Sequence, residues 1–261
     1  MTTVISKDGT LIAYEKSGRG FPLILVDGAL CSRDFGPMPQ LAKLLATHFT
    51  VINYDRRGRN ESTDTKPYAV EREIEDIEAL INEAGGSAYV VGFSSGAALS
   101  LFAAASGLNI TKLALYEPPF RVDDEGHHAP KDSLEQLNAL VLADRRADAV
   151  KFFMHDIIGI PSIGVFMMGL MPIFKKLKAV AHTLPYDISI MGDFSLPEKK
   201  VASVKTPTLI AGGDKSGVML RHTVQKLSEV MPNSNLQMLK GQTHNVSVKV
   251  IAPLLVEFFN K

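Results

Sequence analysis

The chain has 261 residues, with 28 Lys plus Arg balancing 28 Asp plus Glu and a single cysteine, Cys31. That length suits one α/β core with an insertion and is short for two ordinary domains, while balanced charge leaves no overall field for nucleic-acid phosphates or anionic lipid. One cysteine excludes an internal disulfide framework and a cysteine-rich zinc site, and residues 1–7 lack the basic and apolar runs of a secretory leader, so a cytoplasmic protein is expected.

In chain order, short β-branched or apolar runs predict strands at 11–16, 23–26, 51–54, 89–92, 112–116, 208–211 and 236–239. Helical spacing of apolar residues falls between them, at 40–46, 70–83, 95–106, 219–231 and 248–259. This alternation describes a mainly parallel sheet with crossover helices. It breaks over 118–203, which is helical and methionine-rich, and Pro207 introduces the next strand. Residues 1–117 and 204–261 therefore form the core domain, and 118–203 a lid inserted in it. The most apolar stretch, 157–174, is interrupted by Pro161 and Pro172 and falls short of the ~20 apolar residues of a membrane span.

Gly92-Phe93-Ser94-Ser95-Gly96 places a G-x-S-x-G pattern at a strand end before a helix of small residues. A serine on such a sharp turn is exposed as a nucleophile, and the glycines let strand and helix pass closely. Ser95 ranks behind Ser94 as nucleophile, but its backbone N–H can face a developing oxyanion. A serine hydroxyl needs a base. Of seven histidines, His244 has the best setting, in the loop Gly241-Gln242-Thr243-His244 between a strand and the last helix. His48, His127 and His128 read as surface groups, and His155 and His182 lie in the lid. The carboxylate that orients the base should come from another strand end. Asp214, after Thr208-Leu209-Ile210-Ala211-Gly212-Gly213, is the first choice, giving the chain order serine, acid, histidine; Glu117, at the end of the strand before the lid, is its rival.

These segments, together with Leu25-Val26-Asp27-Gly28-Ala29, Tyr54-Asp55-Arg56-Arg57-Gly58-Arg59 and Tyr116-Glu117-Pro118-Pro119, resemble the α/β-hydrolase fold superfamily on both sides of the lid. The resemblance implies an eight-stranded, mostly parallel sheet flanked by helices, an inserted helical lid, no cofactor, and a site at the carboxyl ends of the strands. It also implies that the backbone N–H of Ala29 is the second oxyanion donor, opposite that of Ser95. Three positions depart from the usual pattern: Asp27-Gly28 replaces His-Gly, Phe93 replaces His, and Asn60-Glu61-Ser62 replaces Gly-Asp-Ser. An ionised Asp27 ~6 Å from an oxyanion would oppose it by roughly 3 kcal/mol, so the carboxyl is expected to be neutral, turned away or paired, with Arg56 or Arg57 as the expected partner. Cys31, in the same loop, reads as a small packing group rather than a reactive thiol.

Phe152-Phe153-Met154 and Phe166-Met167-Met168 make an apolar, deformable lid surface that either lines a substrate pocket or packs the lid and a dimer contact. Leu30, Phe93, Phe153, Phe166 and Met167 are the candidate pocket residues. The expected protein is a monomeric or homodimeric serine esterase acting on a small, largely apolar ester or lactone, with no metal. A ligand-binding or sensor protein with slow turnover, and a cofactor-independent lyase or oxygenase using His244 as base, are the alternatives.

Overall fold

The computed structural model describes residues 2–261. Its eight strands are β1 (Thr2–Ile5), β2 (Leu11–Ser17), β3 (Pro22–Val26), β4 (Thr50–Tyr54), β5 (Ala88–Phe93), β6 (Ile110–Tyr116), β7 (Thr208–Gly213) and β8 (Ser234–Leu239). They form one sheet in the order β1-β2-β4-β3-β5-β6-β7-β8. β2 pairs antiparallel with both its neighbours, and every other pairing is parallel. The seven strands expected from sequence are all present. β1 was not read there because it is a four-residue, half-exposed edge strand with too few residues to show a period.

Side-chain alternation along the central strands supplies two apolar faces. Leu23, Leu25, Val51, Val91 and Leu209 point to one side, where α1 (Met38–Leu45) and α11 (Val248–Asn260) cover them with Met38, Leu41, Ile251, Leu255 and Phe259. Ile24, Ile52, Val90, Leu113 and Ile210 point to the other, under α2 (Val70–Glu83), α3 (Ser95–Ala105) and α10 (Val218–Val230). α3 is buried on nearly all sides, which explains a sequence of small and apolar residues with no polar face.

Between β6 and β7 the chain makes no strand. It forms α4 (Ser133–Leu142), α5 (Arg146–Phe152), a wide turn of helix over Phe153–Ile157, α6 (Ser162–Gly169), α7 (Ile173–Val180), a tight turn over Ala181–Thr183, α8 (Leu184–Met191) and α9 (Glu198–Ser203). This segment has an apolar cluster of its own, in which Leu137, Val150, Phe153, Phe174, Leu177 and Leu184 surround Leu30 of the sheet domain. α8 is the most deeply set of these helices, with seven of its eight residues buried. No helix of the described residues is long and apolar enough to cross a membrane.

The serine-bearing turn explains its glycines. A Cβ on Gly96 would lie 2.4 Å from the carbonyl oxygen of Val26 and 2.5 Å from that of Asp27, and one on Gly92 would lie 2.5 Å from the carbonyl oxygen of Gly96. Those contacts are with backbone, which has no room to yield. Gly96→Ala is therefore expected to destabilise the fold by on the order of 3 kcal/mol. Urea denaturation measures it, and a loss below about 1 kcal/mol contradicts the close-approach argument.

Candidate active site

Parallel pairing aligns the carboxyl ends of β5 and β6, with Phe93 opposite Tyr116, so the next residue of each strand emerges side by side. Those residues are Ser94 and Glu117. Both have left-handed backbone, φ 55° at Ser94 and φ 46° at Glu117, which is strained for residues with a Cβ and is typical of positions whose side chain must be aimed. The sheet ladder holds the strain: the Ser94 N–H donates to the Tyr116 carbonyl at 2.9 Å and the Glu117 N–H to the Ala211 carbonyl at 3.2 Å.

His244 lies between the two side chains. Its Nδ1 is 2.8 Å from Glu117 Oε2 and its Nε2 is 3.2 Å from Ser94 Oγ. A carboxylate at Nδ1 holds the proton there and leaves Nε2 as the acceptor for a serine hydroxyl. Glu117 is fully buried and fixed by its other oxygen, which accepts the Gly213 N–H at 2.7 Å and the Ser216 hydroxyl at 2.5 Å. The histidine loop is tied down as well, because the Tyr116 hydroxyl donates to the Thr243 carbonyl at 2.6 Å.

Asp214 is not at the histidine. Its carboxylate accepts the Gly241 N–H at 2.7 Å and its own N–H donates to the Leu239 carbonyl, so it closes the turns after β7 and β8. Of the two carboxylates weighed from sequence, it is Glu117 that lies at the histidine ring, on β6, one strand nearer β5 than the β7 that leads to Asp214. Chain order could not separate them, since both precede His244 and follow Ser94.

The candidate pocket residues divide. Leu30 and Phe153 share the apolar cluster of the inserted segment. Phe93 lies inside the sheet domain with Tyr116, ring centroids 5.2 Å apart, and belongs to the core on the α1 and α11 face. Phe166 and Met167 are 63% and 61% exposed on α6, so they do not wall an enclosed pocket. Both were read as pocket residues from their apolar chemistry alone, which does not say which face of a helix is turned inward. Among the described residues, no group of three or more His, Cys, Asp or Glu side chains is arranged to hold a metal.

Ala29 follows β3, and the neighbouring Gly28 packs directly on the serine, its Cβ position only 3.0 Å from Ser94 Cβ. Among the described residues, neither the Ala29 nor the Ser95 N–H donates to a protein acceptor. Behind them runs a buried ionic network that sequence reasoning did not find. Asp187, from α8, accepts Arg56 Nη1 at 2.7 Å, Arg59 Nη2 at 2.8 Å and the Ser95 hydroxyl at 2.7 Å. Arg56 also forks onto Glu73 with two bonds of 2.7 Å. Burial acts to raise the Asp187 pKa, but the charges of Arg59 and Arg56 and the Ser95 hydroxyl outweigh it and hold the carboxyl below its ordinary value. The one available signal was an aspartate inside the otherwise apolar run Leu184-Pro185-Tyr186-Asp187-Ile188.

A family model described as the alpha/beta hydrolase family matches residues 19–249. The chain is 52% identical to an alpha/beta hydrolase from Sphaerobacter thermophilus DSM 20745, with a TM-score of 0.94 over 99% of this chain and 100% of that one. An esterase from Exiguobacterium antarcticum shares the fold at 20% identity, with a TM-score of 0.77 over 100% of this chain and 99% of that one. The uncharacterized hydrolase YraK of Bacillus subtilis (strain 168) is 35% identical over 97 residues, which span 36% of this chain and 35% of that protein.

The Asp27 carboxyl has neither of the arginine partners expected for it, although Arg56 Nη1 donates to the Asp27 backbone carbonyl at 3.3 Å. Arg56 is engaged by Glu73 and Asp187, and Arg57 by Asp8 and Asp76. One Asp27 oxygen accepts the N–H of Gly28 at 2.9 Å, and the other is buried, facing Gly36 beside the half-buried Cys31 thiol. Burial pushes this carboxyl up to about 7, against the opposing pull of the Gly28 N–H and the Arg59 charge. The folded protein thus retains a proton that an unfolded aspartate releases near pH 4, so this group's contribution to stability falls as pH rises from about 4 towards 7 and levels off above that. Asp27→Asn removes the titration. The variant is expected to gain thermal stability relative to the parent as pH rises from 5 to 8, and parallel melting curves across that range contradict a buried, proton-retaining Asp27.

Proposed function

The chain belongs to the alpha/beta hydrolase family, and from that premise we propose that it is a serine hydrolase cleaving ester-type acyl bonds, with Ser94 as nucleophile, His244 as general base and Glu117 as the acid that orients it. The observation that carries the proposal is the unbroken chain from Ser94 Oγ through both ring nitrogens of His244 to the buried Glu117 carboxylate. Each member has a physical task. Glu117 favours the tautomer with Nε2 unprotonated and stabilises the imidazolium that forms when His244 takes the serine proton. Ser94 Oγ then attacks the acyl carbonyl, and the alkoxide oxygen of the tetrahedral intermediate is stabilised by the N–H groups of Ala29 and Ser95. His244 returns its proton to the leaving alcohol. Water, deprotonated by the same nitrogen, releases the acid and restores the serine.

An ester or lactone is the favoured substrate class because an alkoxide is a far less basic leaving group than an amide nitrogen and departs with less help from the proton that His244 carries. The apolar side chains around Leu30 and Phe153 favour an uncharged acyl group. Asp27, turned into the interior with its carboxyl pushed up to about 7, is largely uncharged below neutrality, which weakens the electrostatic objection to an oxyanion in this loop. That objection was the motive for reading the chain as a slow-turnover binding protein.

Hydrolysis of p-nitrophenyl acetate separates the roles. Ser94→Ala is expected to abolish turnover above background, together with labelling by a fluorophosphonate probe; undiminished turnover contradicts the proposal. Glu117→Gln is expected to lower kcat by roughly 10³- to 10⁴-fold, as when a triad carboxylate is neutralised, whereas Asp214→Asn stays within about threefold of the parent. The reverse ranking of those two variants restores Asp214 as the acid.

A further inference from the structure

The buried pair of Arg59 and Asp187 touches the candidate oxyanion hole from both sides. Arg59 Nη1 donates to the Gly28 carbonyl at 2.6 Å and to the Cys31 carbonyl at 3.0 Å, bracketing Ala29. The Gly28 carbonyl belongs to the same peptide unit as the Ala29 N–H. In a trans peptide these two groups point in opposite directions, so a guanidinium fixing the carbonyl also fixes the direction of the N–H. A cation on the carbonyl oxygen further polarises the amide and makes its N–H the better donor. On the other side, Asp187 Oδ1 accepts the Ser95 hydroxyl at 2.7 Å while Oδ2 accepts Arg59 Nη2 at 2.8 Å. One buried carboxylate therefore joins the residues that carry the two free N–H groups.

We propose that Arg59 and Asp187 are positioning residues of the oxyanion hole, which orient the Ala29 and Ser95 donors through the Gly28 carbonyl and the Ser95 hydroxyl. The proposal rests on the reading of Ser94 as nucleophile. It makes α8 of the inserted segment part of the catalytic apparatus even though none of its side chains need touch substrate. It also explains why three charged groups, Arg56, Arg59 and Asp187, are sealed beneath the turn and bonded to backbone carbonyls and a serine hydroxyl as well as to one another. A pair serving only to hold α8 in place would have no need to reach the peptide preceding Ala29.

The test compares the parent with Arg59→Met, Arg59→Lys, Ser95→Ala and Ser94→Ala, using p-nitrophenyl acetate turnover, melting temperature, and inhibition by an alkyl trifluoromethyl ketone against its unfluorinated counterpart. The fluorinated ketone binds as a tetrahedral oxyanion, and the plain ketone mimics the ground state. In folded Arg59→Met, kcat is expected to fall about ten- to hundredfold, less than loss of a whole oxyanion donor, with KM within threefold. Trifluoromethyl ketone affinity falls by a similar factor, plain ketone affinity does not change, and Arg59→Lys recovers part of the loss. Should Arg59→Met fail to fold, Ser95→Ala, which keeps its backbone N–H but loses the bond to Asp187, carries the same expectation with a smaller loss. A folded Arg59→Met or Ser95→Ala with parental kcat and trifluoromethyl ketone affinity overturns the positioning role alone, and a parent no faster than Ser94→Ala overturns it together with the hydrolase reading.

Discussion

The arrangement depends on one buried carboxylate, that of Asp187, compensated by two arginines. Bringing an aspartate and two guanidinium groups out of water is unfavourable unless each finds its partners, and removing one partner from such a set costs about 3–5 kcal/mol. Arg56 meets this demand with Glu73 on one edge and Asp187 on the other; Arg59 meets it with Asp187, Thr183 and two backbone carbonyls. The consequence is geometric. α2 supplies Glu73, α8 supplies Asp187, the loop after β4 supplies the arginines, and the loop after β3 supplies the carbonyls, so four separate pieces of chain share one set of mutual distances. Charged hydrogen bonds have narrow angular tolerance, and the inserted helical segment is consequently keyed to the turn that carries Ser94.

Strain is concentrated beside that network. Ser94 and Glu117 both hold positive φ, a cost that persists only where surrounding structure over-determines the backbone. The parallel ladder does so by capturing the N–H of each in the next strand, and the glycines at 92 and 96 let α3 approach β3 and β5 more closely than any side chain would permit. Two adjacent strand ends therefore aim two side chains at one histidine. The histidine comes from a more distant loop, but Tyr116, the residue immediately before Glu117, grips that loop by its hydroxyl. Glu117 and His244 are thus positioned from the same strand end.

Much of this was legible in order of residues. Seven strands and five core helices followed from period and punctuation, because in a doubly covered sheet the central strands are apolar runs and most of the covering helices carry a 3.6-residue pattern, the fully buried α3 being the exception. That Ser94 and His244 would be brought together was expected from a G-x-S-x-G turn and a post-strand loop, both local features of the sequence. β1 escaped because a short edge strand buries too little to impose a pattern. The placement of Phe93 in the core and of Phe166 and Met167 at the surface was not legible for a related reason: hydrophobicity says that a residue prefers burial, not which cavity or surface its backbone presents it to.

What the amino-acid order determined by itself was the class of fold and two of the three residues that meet in the hydrogen-bonded chain, since each depends on neighbours within a few positions. What the tertiary structure decided was which carboxylate meets the histidine, and where the charges of Asp27, Arg56, Arg59 and Asp187 come to rest. Asp214 and Glu117 are equivalent in sequence, each following a buried strand. They differ only in which strand lies beside β5, and strand order is set by pairing between segments far apart in the chain, 95 residues for Leu113 with Thr208. The partners of a buried charge are likewise selected by distance in space, and Asp187 meets Arg56 across 131 positions that no local pattern spans.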